Sequence, residues 1–359
     1  MQRGGSMVLD NHRPVYVIAE AGINHGGDMQ VAAEMVRVAA AAGADAVKFQ
    51  SFTASGLAHG SLAADQHAFF SRFELGREEH AQLSALCREH DIDFLSTPFD
   101  TQMLGLLEEL HVPAYKIASC DLTNLPFIAA VAMRRKPMYI STGMGSMDEV
   151  WRAYETAVEH GCPQVVMLQC TTQYPTPYPQ VSLRSMLAIA DEVGCDVGFS
   201  DHSIGNWCCF AAVGMGACVI EKHFCLDKHV EGPDIPGSCD PKELIELVQG
   251  IRAIEQAMGR RVKQMQDSEE GIAVIARRSA FYACDLGAGH VLCEEDLQFL
   301  RPGSGISPRD AMALLGRELR LSVRSGAALK PGDFHMPEEQ SGSEPAQHAV
   351  ERDVLGADA

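Results

Sequence analysis

No apolar run in this 359-residue chain reaches the roughly 18 residues that a membrane-spanning helix needs; the first one, Val15 to Ala19, stops at Glu20. Positive charge is scarce as well, with 29 Lys and Arg against 48 Asp and Glu and a formal net charge of -19. Neither nucleic acid nor an anionic membrane is therefore an expected partner, since both require a basic face that displaces counterions. Any anionic substrate must be held by local cations. The twelve cysteines include no CxxC pair and no signal peptide precedes them, which points to reduced thiols in a soluble, cytoplasmic, unprocessed protein. Cys225 and Cys239 lie near His223, but their spacing fits no standard zinc site.

A GxGxxG turn after the first β-like run is also missing, which argues against a doubly wound dinucleotide-binding sheet. A repeat is present instead. Short β-rich runs at Val15 to Glu20, Ala46 to Gln50, Asp93 to Thr97, Ala114 to Ser119, Pro137 to Thr142, Val165 to Thr171, Val197 to His202 and Cys218 to His223 each end in polar residues. Helical stretches such as Val31 to Ala42, Glu78 to His90, Gln102 to Leu110 and Met147 to His160 fall between them. Eight βα units in about 250 residues predict an α/β fold, a closed (β/α)8 TIM barrel, over residues 14–259.

The pattern changes after Gly259. A charged segment, 260–276, reads as a linker with some helix. Residues 277–336 carry short β-like runs, Ser279 to Cys284, Gln298 to Arg301 and Leu319 to Val323, between Gly-rich turns, as a small second domain would. The tail 337–359 mixes Ser, Gly, Pro, Glu and Ala without apolar periodicity and reads as disordered.

In a (β/α)8 barrel the chemistry sits at the C-terminal ends of the strands. His202 and His223 end adjacent runs, so their imidazoles can share one divalent ion while leaving coordination positions to water or substrate. Alone, the two read more readily as buried, hydrogen-bonded histidines; the other strand ends reverse that preference in favour of the metal. Lys48 and Gln50 share a face of their strand, as do Ser200 with His202 and Glu221 with His223. In a closed barrel the eighth strand adjoins the first, which brings Glu20 and the loop Asn24 to Gly27 beside His223. Lys116 to Ser119, Ser141-Thr142-Gly143, and Thr171, Thr172 and Tyr174 complete the mouth. Two ammonium groups with hydroxyls suit a phosphate plus a carboxylate, and a two-histidine metal opposite them suits a carbonyl. The combination fits carbon–carbon bond formation between an enol phosphate and an aldehyde.

The ordered motifs Ala19-Glu20-Ala21-Gly22-Ile23-Asn24-His25, Val47-Lys48-Phe49-Gln50, Ser96-Thr97-Pro98-Phe99, Tyr115-Lys116-Ile117-Ala118-Ser119, Ser141-Thr142-Gly143-Met144, Tyr174-Pro175-Thr176-Pro177, Ser200-Asp201-His202, Glu221-Lys222-His223-Phe224 and Gly232-Pro233-Asp234 resemble those of the bacterial sialic acid synthases, the N-acetylneuraminate and related nonulosonic acid synthases. Arg301-Pro302-Gly303-Ser304-Gly305-Ile306 resembles the turn of that family's C-terminal antifreeze-like (SAF) domain. The resemblance implies condensation of phosphoenolpyruvate with an open-chain N-acetylated hexosamine, N-acetylmannosamine first, giving N-acetylneuraminate and phosphate. It further implies that His202 and His223 bind Mn2+, or Mg2+ or Co2+ in its place. Lys48, Thr97, Lys116, Ser119, Ser141, Tyr174 and Ser200 would cradle phosphoenolpyruvate. Glu20, Gln50, Asp234 and Arg301 would serve the sugar, with Glu20, Lys48, Asp234 and Arg301 as the catalytic set. Arg301 would come from the partner of a domain-swapped homodimer.

Two departures bear on the sugar. Ser119-Cys120-Asp121 stands where some members have Ser-Gly-Glu, and Thr172 where some neuraminate synthases have Asn. The alternative substrate is a 2,4-diacetamido-trideoxy hexose, which would make the protein a legionaminic or pseudaminic acid synthase. Synthases of keto-deoxy sugar acids from phosphorylated sugars share the barrel but not the second domain or the histidine spacing. A non-catalytic, ice-binding role would need neither the lysine pair nor the histidines.

Overall fold

The computed structural model describes residues 14–335. Met336 and the expected tail 337–359 lie outside the described residues. Eight parallel strands form the first unit: β1 (Tyr16–Gly22), β2 (Ala46–Ser51), β3 (Asp93–Pro98), β4 (Tyr115–Ile117), β5 (Met138–Ser141), β6 (Val165–Cys170), β7 (Asp196–Asp201) and β8 (Val219–His223). Their order, β3-β2-β1-β8-β7-β6-β5-β4, brings first and last strands together. β3 and β4 meet without a ladder, which leaves a near-closed (β/α)8 barrel with one seam.

Strand parity explains the layering, because successive side chains point to opposite faces. One set, including Val17, Ala19, Val47, Phe49, Ile117 and Phe199, packs outward against helices such as Met29–Ala41 and Pro241–Met258. The other set points into the barrel. At its lower end lie Ile18, Ala46, Leu95, Ala114, Val166, Leu168 and Val219, a separate apolar cluster that fills the interior. Two residues further along the same strands stand Glu20, Lys48, Thr97, Lys116, Cys170 and Glu221, all buried. The barrel is therefore dry at the bottom and charged at the top.

Gly198 shows how little room the interior leaves. A Cβ placed there would come within 2.5 Å of the Val219 carbonyl oxygen and 2.6 Å of Leu168 Cδ2.

Most expected runs keep their bounds to within one or two residues, and two of them differ in form. β4 ends at Ile117 rather than Ser119, because Asp121 N–H turns back to the Ala118 carbonyl and Ser119–Asp121 becomes a single 3-10 turn. The run expected at Leu319 to Val323 forms only isolated bridges, Leu319 with Phe334 and Val323 with Leu286. Cys239 donates to the side-chain oxygen of Asn206, and all twelve cysteines are free thiols.

Chain contacts divide the protein between Arg260 and Arg261, so the segment 261–276, with its 3-10 turn Asp267–Glu269 and helix Glu270–Ala276, groups with the second unit. That unit has its own core of Ala280, Tyr282, Leu286, Leu292, Leu319, Leu329 and Phe334 around the antiparallel pair β9 (Ser279–Tyr282) and β10 (Leu297–Leu300). Among the described residues no helix is long and apolar enough to cross a membrane.

The parity argument yields a paired prediction. Gly198→Ala forces β7 and β8 apart and is expected to cost about 1–3 kcal/mol, the usual range for an overpacked core. Gly105→Ala, in the helix Thr101–Glu109 where an added Cβ meets nothing within 4 Å, is expected to stabilise by about 0.5–1 kcal/mol. Urea unfolding midpoints that move in opposite directions would support the layering; equal shifts would contradict it.

Candidate active site

Register places the first pair of functional groups. Glu20 of β1 is opposite Lys48 of β2 on one side and His223 of β8 on the other. Lys48 Nζ lies 2.8 Å from Glu20 Oε2 and 3.5 Å from Glu221 Oε2, and donates to Thr97 Oγ1 at 3.0 Å. Lys116 Nζ donates to Ser141 Oγ at 2.7 Å and to the Ile117 carbonyl at 3.0 Å, and stands 3.6 Å from Glu221 Oε1. Ser200 Oγ donates to the same Glu221 oxygen at 2.7 Å. Seven strands thus converge on a chain of charges, Glu20, Lys48, Glu221 and Lys116, each about 5% exposed or less.

Burial acts differently on the two carboxyls. For Glu20, loss of water raises the carboxyl to about 7, Lys48 opposing and the neighbouring Glu221 adding to the rise. Glu221 is also penalised by burial, yet Lys116 and Lys48 on either side hold it down to about 2. Glu221 is therefore the carboxylate of the pair and Glu20 the proton holder. Sequence reasoning named Glu221 as sharing a face with His223 and assigned it no role. The missing signal was available in strand parity: position i-2 from an inward His also points inward, toward both lysines.

The imidazoles lie at the rim. Ring centres of His202 and His223 are 5.4 Å apart, and the Tyr174 ring lies 4.1 Å from that of His202, tilted by 37°. Two metal–nitrogen bonds of about 2 Å at a right or tetrahedral angle bring ring centres to roughly 5 Å, so the pair fits one shared ion. The free nitrogens agree. His202 Nδ1 is engaged by the Thr171 carbonyl at 2.8 Å, which directs Nε2 outward, and His223 Nδ1 is buried with no hydrogen-bond partner. Burial, then the charges of His202 and Lys48, push His223 well below its usual value, so it is neutral as a ligand must be. Asp234 Oδ2 is 3.8 Å from His223 Nδ1 and its carboxyl is raised by burial. Cys170, which sequence reasoning did not single out, has its thiol 3.9 Å from His202 Nδ1; the pairing draws the thiol down and the imidazole up, each against burial.

The remaining candidates are placed as follows. Ser119 Oγ accepts the Gly143 N–H at 3.0 Å and lies 3.6 Å from Cys170 Sγ, beside the lysine chain. Gln50 is half-buried opposite Thr97. Asn24 donates to the Phe224 carbonyl and to Ser238 Oγ, tying the first loop to the last, while His25 accepts the Gly27 N–H at 3.0 Å and shapes the loop. A cavity of about 420 Å³ opens next to the rim, lined by Thr142, Cys170, Thr171, Thr172 and Gln173 among others. Arg301 belongs to the second unit and is exposed there.

Comparison with known proteins gives a consistent picture. The NeuB family matches residues 35–263 and the SAF domain residues 277–335. The chain is 40% identical to the N,N'-diacetyllegionaminic acid synthase of Legionella pneumophila, over 91% of this chain and 95% of the relative. It is 38% identical to the synthase of that name from Campylobacter jejuni, over 84% and 94%. A crystal structure of N-acetylneuraminic acid (sialic acid) synthetase from Leptospira borgpetersenii, in complex with citrate, superposes with a TM-score of 0.69 at 33% identity, covering 73% of this chain and 90% of that one. With the barrel, the charged mouth and the second domain all in place, this chain belongs to the NeuB family of sialic-acid-type synthases, carrying a C-terminal SAF domain.

Proposed function

We propose that the protein condenses phosphoenolpyruvate with a 2,4-diacetamido-trideoxy hexose, making a legionaminic-type nine-carbon 2-keto acid and inorganic phosphate. The observation that carries the choice of sugar is the pair of relatives at 40% and 38% identity that make N,N'-diacetyllegionaminic acid, against 33% for the sialic acid synthetase. N-acetylmannosamine, the sequence-based first expectation, becomes the second reading. Thr172, where some neuraminate synthases have Asn, and Asp121, where some family members have Glu, are compatible with the same change.

Lys48 and Lys116 hold the phosphate and carboxylate of phosphoenolpyruvate, with Thr97, Ser119, Ser141 and Ser200 supplying hydroxyl contacts. Charge arithmetic supports this. Two ammonium groups with one ionised carboxylate, Glu221, and one protonated carboxyl, Glu20, leave a net positive mouth in an acidic protein. His202 and His223 would hold a divalent ion, Mn2+ first, which would supply Lewis acidity toward the aldehyde. Carbon 3 of phosphoenolpyruvate bonds to the aldehyde carbon, water adds at carbon 2, and the C–O bond to phosphate breaks. Glu20 carries the proton that this sequence moves, and Asp234 and Gln50 orient the polyol.

Phosphate release from phosphoenolpyruvate with a sugar panel tests the reading. The 2,4-diacetamido-trideoxy mannose epimer is expected to exceed N-acetylmannosamine in kcat/KM; the reverse order would assign the protein to neuraminate synthesis, and no release with any sugar would reject the reaction.

The pH dependence follows from Glu20. Burial raises its carboxyl to about 7, so toward acid pH it is neutral and toward alkaline pH an added negative charge faces the incoming anion. Phosphoenolpyruvate affinity is expected to fall as pH rises through 7, and Glu20→Gln, neutral at every pH, should flatten the profile while lowering turnover by about 100-fold or more. An unchanged profile in that variant would remove Glu20 from the site.

Exhaustive chelation is expected to abolish turnover and Mn2+ to restore it. His202→Ala should lose turnover while keeping most phosphoenolpyruvate affinity. Full activity in verified metal-free protein would end the metal assignment.

A further inference from the structure

The second unit contains a group of side chains that the proposed condensation does not use. His290 Nε2, Cys293 Sγ and a carboxylate oxygen of Asp296 all lie within 4.8 Å of one another. We propose that these three residues form a binding site for a soft divalent cation, Zn2+ foremost, separate from the barrel histidines.

The arrangement is built around one oxygen. Asp296 Oδ2 is 2.6 Å from His290 Nε2 and accepts from Cys293 Sγ at 3.0 Å and from Cys293 N–H at 2.9 Å. Its other oxygen is approached by Cys284 Sγ at 3.8 Å, which steadies the carboxylate from behind. Asp296 is 6% exposed, while Cys293 is exposed and His290 is half-open, so an ion can enter from solvent and leave a fourth position facing water. Imidazole, thiolate and carboxylate are a donor set that suits zinc over magnesium or calcium, which prefer all-oxygen sites.

The backbone under the ligands is already held. The Leu319 N–H donates to the His290 carbonyl, the Leu292 N–H to the Arg317 carbonyl, and the Ala283 N–H to the Asp296 carbonyl, at 2.8, 2.9 and 2.8 Å. A 3-10 turn, Glu294–Asp296, sets Cys293 and Asp296 on the same side. Tetrahedral bonds of about 2.0–2.3 Å separate ligand atoms by roughly 3.3–3.8 Å. Binding therefore needs the donors to part by about an ångström or less, well within side-chain motion.

The Cys293 thiol and the His290 Nε2 both face Asp296 Oδ2 at the place the ion would take. Burial alone would raise the Asp296 carboxyl, but the hydrogen bonds from Cys293 and His290 hold it ionised, down to about 2. The same contact raises the Cys293 thiol. Metal binding removes the thiol proton to solvent and leaves the imidazole proton on Nδ1, so affinity rises with pH. Structurally, the ion would pin the turn that leads into β10 and on to Arg301.

Co2+ serves as the spectroscopic probe, added to the full chain under reducing conditions. A thiolate-to-cobalt charge-transfer band is expected, displaced by Zn2+. It should survive in His202→Ala, vanish in Cys293→Ser and require about tenfold or more additional Co2+ in His290→Ala. Ser at 293 keeps a hydroxyl able to cap Asp296, so this variant should fold, which circular dichroism verifies. Absence of the band in the folded wild-type protein, or a band unchanged in Cys293→Ser, would overturn the site.

Discussion

The mouth of the barrel depends on Glu221 lying between two lysines, 3.5 Å from Lys48 and 3.6 Å from Lys116. Three such charges buried together are costly for folding, because each gives up hydration that its partners only partly replace. Removing any one of them would leave another uncompensated. The barrel accepts the arrangement because the layer below, Ile18, Leu95, Val166, Leu168 and Val219, is wholly apolar and excludes water. The same exclusion strengthens every attraction above it. Stability is supplied at the bottom of the strands and spent at the top, two residues apart on the same chain.

Polar groups at the mouth divide by charge state. Glu221 is held ionised by the lysines on either side, Lys48 is drawn up by its carboxylate neighbours and Lys116 is drawn down by burial, whereas burial and nearby cations keep His223 neutral and burial raises the Glu20 carboxyl to about 7. A lysine-bearing half and a half whose histidines fit a metal can then sit side by side without neutralising each other. The contact between them is short: Glu20 faces Lys48 on one strand and His223 on the other. A proton at Glu20 is thus placed at the boundary where an enol phosphate and an aldehyde would meet under the proposed reaction.

The second unit solves a different problem. With two short paired strands and a small core, it has limited apolar burial of its own, and small domains of this kind commonly rely on an additional clamp. The His290, Cys293 and Asp296 group lies on the turn just before β10, where a bound ion would restrain the segment carrying Arg301.

Periodicity alone determined much of this protein. Eight β-rich runs with polar ends, and helical stretches between them, were sufficient for the barrel because each run is a local hydrophobic pattern that only a doubly covered parallel strand satisfies. Lys48, Lys116, His202 and His223 were legible for the same reason, as polar residues where an apolar run ends. What tertiary structure decided were the relations across strands. Glu221 reads as one more acid in Val-Ile-Glu-Lys-His until β8 closes beside β1 and β7, and then it is the residue both lysines share. Its neighbour Lys222 has the same composition signal as Lys48 but the opposite parity, and ends in a buried pair with Asp201 at 2.7 Å behind the barrel wall. Ser119 left the strand for a 3-10 turn, and His290, Cys293 and Asp296 came together through hydrogen bonding to the distant 317–319 segment. Local sequence sets which side chains a strand exposes on each face, but which charges meet depends on register and closure, and those are settled only when all eight strands pack at once.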